Sequence, residues 1–250
     1  MMADVCPHCH GTGFRLSTDD GGVRTSTRCP CSTPDTAELL VSAARIPRRY
    51  DHCGLDNFEV HHPSHETARK SAAEWVELWP ATKSGLLFVG GPGTGKTHLA
   101  VAIGRELMRT KGAHVLFYEQ RELLKALQGT FDSGSSLRET QVLSPVLAAE
   151  VLILDDLGAG RTTPWAKDVM HDIIAHRYNE ERPLIMTSNL PTGDETKAKR
   201  GARQAGPDGP MSLRDRLGDA LMSRLYEMCR IVRVAGRDYR SWILHAKHHY

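Results

Sequence analysis

Eight consecutive residues, Gly90-Gly91-Pro92-Gly93-Thr94-Gly95-Lys96-Thr97, constrain this 250-residue chain more than anything else in it. They fill the pattern G-x-x-x-x-G-K-[ST]. Glycines there let the backbone turn tightly and aim its N–H groups at an anion, and a helix opening at the lysine adds a favourable field. The flanks fit: Gly85–Gly90 reads as a short buried strand and Thr97–Met108 as a helix. In that setting Lys96 is expected to reach the β- and γ-phosphates of a nucleotide, and the Thr97 hydroxyl to ligate Mg²⁺. Gly90 to Thr97, with His98 beside them, are the candidate nucleotide-binding residues. The plainer alternative is a glycine-rich turn with no ligand, and the completeness of the motif argues against it.

From Gly85 onward, strands and helices alternate. Further strands are expected at His114–Tyr118, Val151–Asp155, Pro183–Thr187 and Arg230–Val234. Helices are expected at Arg121–Gln128, after a Ser/Gly loop at Asp132–Ser136 (with Pro145 as a possible divider), from Pro164 to about Glu180, and at Asp215–Met228. Thr163 and Pro164 supply a cap and a first-turn proline for the third of these. Before the phosphate loop, Ala68, Ala72, Trp75 or Val76, and Trp79 recur at helical spacing until Pro80. Strands separated by helices imply parallel pairing with right-handed crossovers, so the fold class is α/β, a five-stranded parallel sheet flanked by helices. Composition agrees: 40% apolar and 25% charged residues rule out a disordered chain, a collagen-like repeat and a disulfide-dominated miniprotein. With 32 basic and 30 acidic residues, the net charge of +2 argues neither for nor against nucleic acid.

The second chemical element is Val151-Leu-Ile-Leu-Asp155-Asp156. An apolar strand ending in a carboxylate brings Asp155 to Mg²⁺, and Asp156 can face the attacking water. One further strand intervenes between this acidic strand and the phosphate-loop strand, an arrangement suited to ATPases that act on macromolecules. The third element is Met186-Thr-Ser-Asn189 at the end of a strand, where an amide could orient water against the γ-phosphate. A plain strand-to-turn Asn is the bland reading.

Gly-Gly-Pro-Gly-Thr-Gly-Lys-Thr-His-Leu-Ala, Leu-Ile-Leu-Asp-Asp-Leu-Gly, Thr-Ser-Asn, Ser223-Arg224-Leu225 and Asp238-Tyr239-Arg240 follow in that order. From about Ile46 to the C-terminus the chain resembles the DnaC/IstB-type AAA+ ATPases, P-loop NTPases that load replicative helicases or assist transposition. The resemblance implies ATP, Mg²⁺, single-stranded DNA and a replicative helicase as ligands and partners. It also implies Asn189 as a sensor beside the γ-phosphate, Arg224 as a finger reaching a neighbouring subunit's ATP in a homo-oligomer, and Arg240 as a second sensor in its own subunit. Position 156 departs from the commonest AAA+ pattern, which has Glu there, and the shorter Asp implies slow turnover without partners.

Four of six cysteines fall in the first 31 residues, as Cys6-x-x-Cys9 and Cys29-x-Cys31. Four thiolates can close a tetrahedral Zn²⁺ shell and supply the folding energy a core-less segment lacks. Between them, Asp19-Asp20-Gly21-Gly22 is a hairpin-turn candidate. Cys53 and Cys229 have no sequence partner and are expected to be small buried residues. The histidines at 61, 62 and 65, and at 245, 248 and 249, are not convincing metal sites. The expected organisation is a zinc-binding module (1–33), a connector (34–64) and an AAA+ domain (65–250).

Lys197, Lys199, Arg200 and Arg203 form a basic stretch within 196–207 that either tracks phosphates or is simply solvated. No apolar run approaches the ~20 residues of a membrane span, and a soluble, cytoplasmic protein is expected. The leading functional reading is an ATP-hydrolysing helicase loader. Its rivals are a transposition helper, a nucleotide-gated adaptor with little turnover, and a small-molecule P-loop kinase.

Overall fold

The computed structural model describes residues 14–18, 24–29, 34–131, 136–160, 163–193 and 211–244. Near its start, Phe14–Thr18 (β1) and Arg24–Arg28 (β2) pair antiparallel, with Phe14 opposite Arg28 and Thr18 opposite Arg24. This is the hairpin expected about Asp19–Gly22, although the turn itself lies outside the described residues. Cys29 is buried; Cys6, Cys9 and Cys31, and the basic stretch 196–207, fall outside them too.

Five apolar segments build the main sheet: Gly85–Val89 (β3), Val115–Glu119 (β4), Val151–Asp155 (β5), Leu184–Ser188 (β6) and Cys229–Arg233 (β7). All neighbours are parallel, in the order β4-β5-β6-β3-β7. The three central strands are buried along their whole length, as a parallel sheet covered on both faces requires. At the edge, β7 exposes Arg230 and Arg233. Insertion of β6 between β3 and β5 separates the phosphate-loop strand from the acidic strand. The strand order therefore reverses beside the phosphate loop, which is where open α/β sheets hold ligands.

Successive strand residues point to opposite faces, and each face has its own core. Leu86, Phe88, Val151 and Ile153 pack under Pro34–Ala43 (α1), Pro63–Leu78 (α2) and Lys96–Lys111 (α3). Leu87, Val89, Leu152 and Leu154 face the opposite layer. That layer contains Gln120–Phe131 (α4), Ser136–Ala148 (α5), Pro164–Asn179 (α6), Leu213–Leu217 (α7) and Asp219–Met228 (α8). Complete burial of one such Leu or Phe contributes about 1.5–3 kcal/mol.

Two details correct the sequence reading. The helix expected over 215–228 is broken at Gly218, whose φ of 89° and ψ of 163° no helix can accommodate. The possible divider Pro145 does not divide α5. Pro145 and Gln141 are both exposed, so the carbonyl that the proline leaves unpaired can bond to water. As expected, Thr163 caps α6, accepting from the Ala166 amide.

The connecting segment packs onto the phosphate-loop side of the sheet. Ala44 O accepts from the Phe117 amide at 2.8 Å, and Cys53 and Phe58 are buried. Burial raises the thiol of Cys53 to about 11 and that of Cys229, on β7, to about 12. Among the described residues, no helix is long and apolar enough to cross a membrane.

Candidate functional site

The loop from Gly90 to Gly95 joins the end of β3 to the start of α3. Gly93 (φ 69°) and Gly95 (φ 92°) are left-handed, and both are crowded. A Cβ on Gly93 would lie 1.7 Å from Asp238 Oδ1, and one on Gly95 2.5 Å from the Phe58 ring. Only glycine serves at either place. Thr94 Oγ1 donates to Gly91 O at 3.0 Å, closing the loop on itself.

Lys96 is buried beneath this loop. Its ammonium donates to Gly91 O at 2.6 Å and Asn189 Oδ1 at 2.7 Å. Both acceptors are uncharged, and burial lowers the amine to about 8 despite the nearby Asp155 and Asp156. A cation so placed fits the phosphates of a nucleotide.

The acidic strand meets the same point from across the sheet. Asp155 Oδ1 accepts from Thr97 Oγ1 at 2.8 Å and from Thr187 Oγ1 at 2.7 Å. Burial raises its carboxyl above the ordinary value, and the two hydroxyls oppose that shift. A buried carboxylate beside a hydroxyl is a hard-oxygen donor set that fits Mg²⁺. Asp156, at φ 56°, takes a left-handed turn, and its amide donates to Thr187 Oγ1 at 3.0 Å. Asn189 Nδ2 in turn donates to Asp156 Oδ1 at 2.6 Å. One network thus runs from Thr97 through Asp155, Thr187, Asp156 and Asn189 to Lys96.

Beyond β7, Tyr239 N donates to Gly93 O at 3.0 Å, and Asp238 accepts from the Arg240 amide at 3.0 Å. This seats Arg240 beside the loop with its side chain largely in solvent. An open cleft of about 360 Å³ lies between Gly90–Gly91, Asn189 and Val234–Gly236.

Two of the predicted residues point elsewhere. His98 turns away from the loop: its Nε2 meets Gly54 O at 2.8 Å and its ring packs edge-on against Phe58. Arg224, on α8, contacts His171 of α6 through Nη1 and Nε2 at 2.7 Å. Sequence reasoning missed Thr187 as a shared partner of both acids, and Asp238 as a neighbour of Gly93. It also missed Tyr50, a neighbour of Thr97 whose hydroxyl is raised by burial and by the Asp155 charge. The strand-end Thr-Ser-Asn run was the available signal for Thr187.

Residues 38–245 match the family described as IstB-like ATP binding protein. The chain belongs to that family. Among relatives of this IstB-family chain, the replicative helicase loader DnaC of Buchnera aphidicola (subspecies Acyrthosiphon pisum) is 29% identical over 153 residues. That match covers 61% of the chain and 62% of the relative, so the chain spans less than two thirds of that protein's length. The phage-like element PBSX protein XkdC of Bacillus subtilis is 26% identical over 247 residues, covering 94% of this chain and 84% of the relative. A crystal structure of the DnaC helicase loader superposes with a TM-score of 0.64 and 31% identity, over 75% of this chain and 99% of that one. The IstB-family chain thus has the P-loop AAA+ fold of an ATP-binding protein.

Proposed function

We propose that this protein hydrolyses ATP and uses the cycle to deliver a replicative helicase onto single-stranded DNA. The observation that carries the proposal is the 31% identity to the DnaC loader structure over 99% of that chain. In this reading Gly90 to Thr97 cradle the triphosphate, and Lys96 neutralises its β- and γ-oxygens. Thr97 and Asp155 would hold Mg²⁺, which would offset charge on the transferring phosphoryl group. Asp156 takes a proton from the attacking water, and Asn189 orients that water while bonded to Asp156. Arg240 approaches the γ-phosphate from its own subunit, and Arg224 from a neighbour in a homo-oligomer.

Around this engine, residues 1–33 form a zinc-binding module held by Cys6, Cys9, Cys29 and Cys31 that grips the partner. Residues 34–64 connect it to the AAA+ domain at 65–250, and the whole protein works in the cytoplasm.

The test is capture from the native cell on immobilised protein, with ATP and then without it, followed by identification of the bound proteins. Recovery of a replicative helicase only with ATP is expected, and adding single-stranded DNA should raise ATP turnover. Recovery of a transposase instead would transfer the same ATPase to transposition. Phosphate transfer to a metabolite would make it a kinase.

A further inference from the structure

We infer that His52, Cys53 and His98 bind a zinc ion that clamps the connecting segment onto the first turn of the phosphate-loop helix. Each offers one ligand atom, and the three atoms lie within 4.8 Å of one another. They come from distant parts of the chain: two from the loop after the turn Arg48–Tyr50, one from α3 immediately beyond Thr97.

The hydrogen bond of His98 suits a ligand. Its Nε2 lies 2.8 Å from Gly54 O, and a carbonyl can only accept, so Nε2 carries the proton and Nδ1 keeps the lone pair. Imidazoles that bind metals are commonly fixed in this way, the second ring nitrogen donating to a backbone carbonyl. Cys53 is buried beside it, while His52 is exposed and gives an ion a route from solvent. The His52 and His98 rings stand edge to face, with centroids 6.0 Å apart.

Two imidazoles and one thiolate are a borderline-soft donor set, which selects zinc over magnesium or calcium. Water completes a tetrahedron. Binding displaces the Cys53 thiol proton to solvent, one proton per ion. Asp51 near Cys53 and Asp56 near His98 offset the charge of Arg105, which also faces Cys53. The consequence is mechanical. Phe58 already packs on Gly95 and His98, so an ion here would fix the segment 52–58 against the loop that turns around the phosphates.

The test uses Co²⁺ on the full chain with Cys6, Cys9, Cys29 and Cys31 replaced by Ser, which leaves Cys53 and Cys229 as its cysteines. One equivalent should bind with a thiolate-to-cobalt charge-transfer band, and Zn²⁺ should erase the band by competition. Adding Cys53→Ser should abolish the band, whereas Cys229→Ser should leave it. His52→Ala changes an exposed residue and should weaken binding at least ~10-fold with the metal-free melting curve unmoved. In the otherwise unaltered chain, His52→Ala should bind one zinc fewer by native mass spectrometry. No band, a band that survives Cys53→Ser, or unchanged affinity and stoichiometry in His52→Ala would each overturn the site. All of these readouts are independent of ATP turnover.

Discussion

Thr187 Oγ1 donates to Asp155 Oδ1 at 2.7 Å while accepting from the Asp156 amide at 3.0 Å, so one hydroxyl orients both acids. Its oxygen sits on β6, the strand that separates β3 from β5.

Thr187→Val keeps the shape and removes both bonds. Asp155 would lose one of two hydroxyls that oppose the upward shift caused by its burial. Affinity for ATP with Mg²⁺ should fall about 10–100-fold, as when outer-shell partners of metal sites are removed. Affinity in EDTA should change little, and Thr187→Ser should restore the Mg²⁺-dependent part. Titration calorimetry under both conditions decides. An equal loss with and without Mg²⁺ would reduce Thr187 to a packing role.

Lys96 sits at about 8 against an ordinary 10.5 because burial disfavours its charge. Between those values the unfolded chain binds more protons than the folded one, so stability of the nucleotide-free protein rises with pH across that window. Below about 8 the full cost of the buried ammonium is present. Lys96→Met removes it, and the nucleotide-free melting temperature at pH 7 should rise by roughly 2–4 °C. The gap to wild type should close as pH climbs through 8 towards 10.5. ATP favours the charged amine, so wild-type ATP affinity should decline above pH 8, and Lys96→Met should not bind ATP. Thermal melts at pH 7 and 9.5 with and without ATP measure both effects. A gap independent of pH would mean the lysine charge is not its cause.

Asp156 has φ 56°, a conformation that Asp and Asn tolerate better than longer side chains. Asp156→Asn therefore keeps the turn and an acceptor for Asn189 while removing the base. Turnover should drop about 10²–10⁴-fold, with the ATP dissociation constant within about threefold of wild type. Asp156→Glu should cost about 1 kcal/mol in stability from the left-handed turn. Single-turnover hydrolysis and denaturant melts check the pair, and undiminished hydrolysis in Asp156→Asn would exclude Asp156 as the base.

What could be read in the sequence was what is local in it. Gly90–Thr97 and Val151–Asp156 each carry strand, turn and functional atoms in one short run, and the structure assembles them around the same point. The sheet order, and with it the role of Thr187, depends on β6 entering between β3 and β5, a pairing of segments far apart in the chain. Asp238 meets Gly93, and His52 meets His98, by the same kind of distant return. The break at Gly218 was missed because a helical apolar pattern runs on through a glycine whose backbone angle the pattern does not specify.

Arg224 contacts His171 within its own subunit, whereas Lys96 bonds to Gly91 and Asn189, and Asp155 to Thr97 and Thr187. A guanidinium on α8 that acts on phosphate should therefore do so across a subunit boundary. Arg224→Ala alone should lower turnover about 10³-fold or more and leave ATP binding intact. Lys96→Ala alone should bind no ATP yet still present a working Arg224. Mixed together, the first supplies the nucleotide site and the second the arginine, so hydrolysis should return to a sizeable fraction of wild type. Recovery should peak at comparable amounts of the two and require ATP and single-stranded DNA to assemble them. If no ratio restores hydrolysis while each variant still joins wild-type assemblies, Arg224 acts within its own subunit, and its contact with His171 becomes the relationship to dissect.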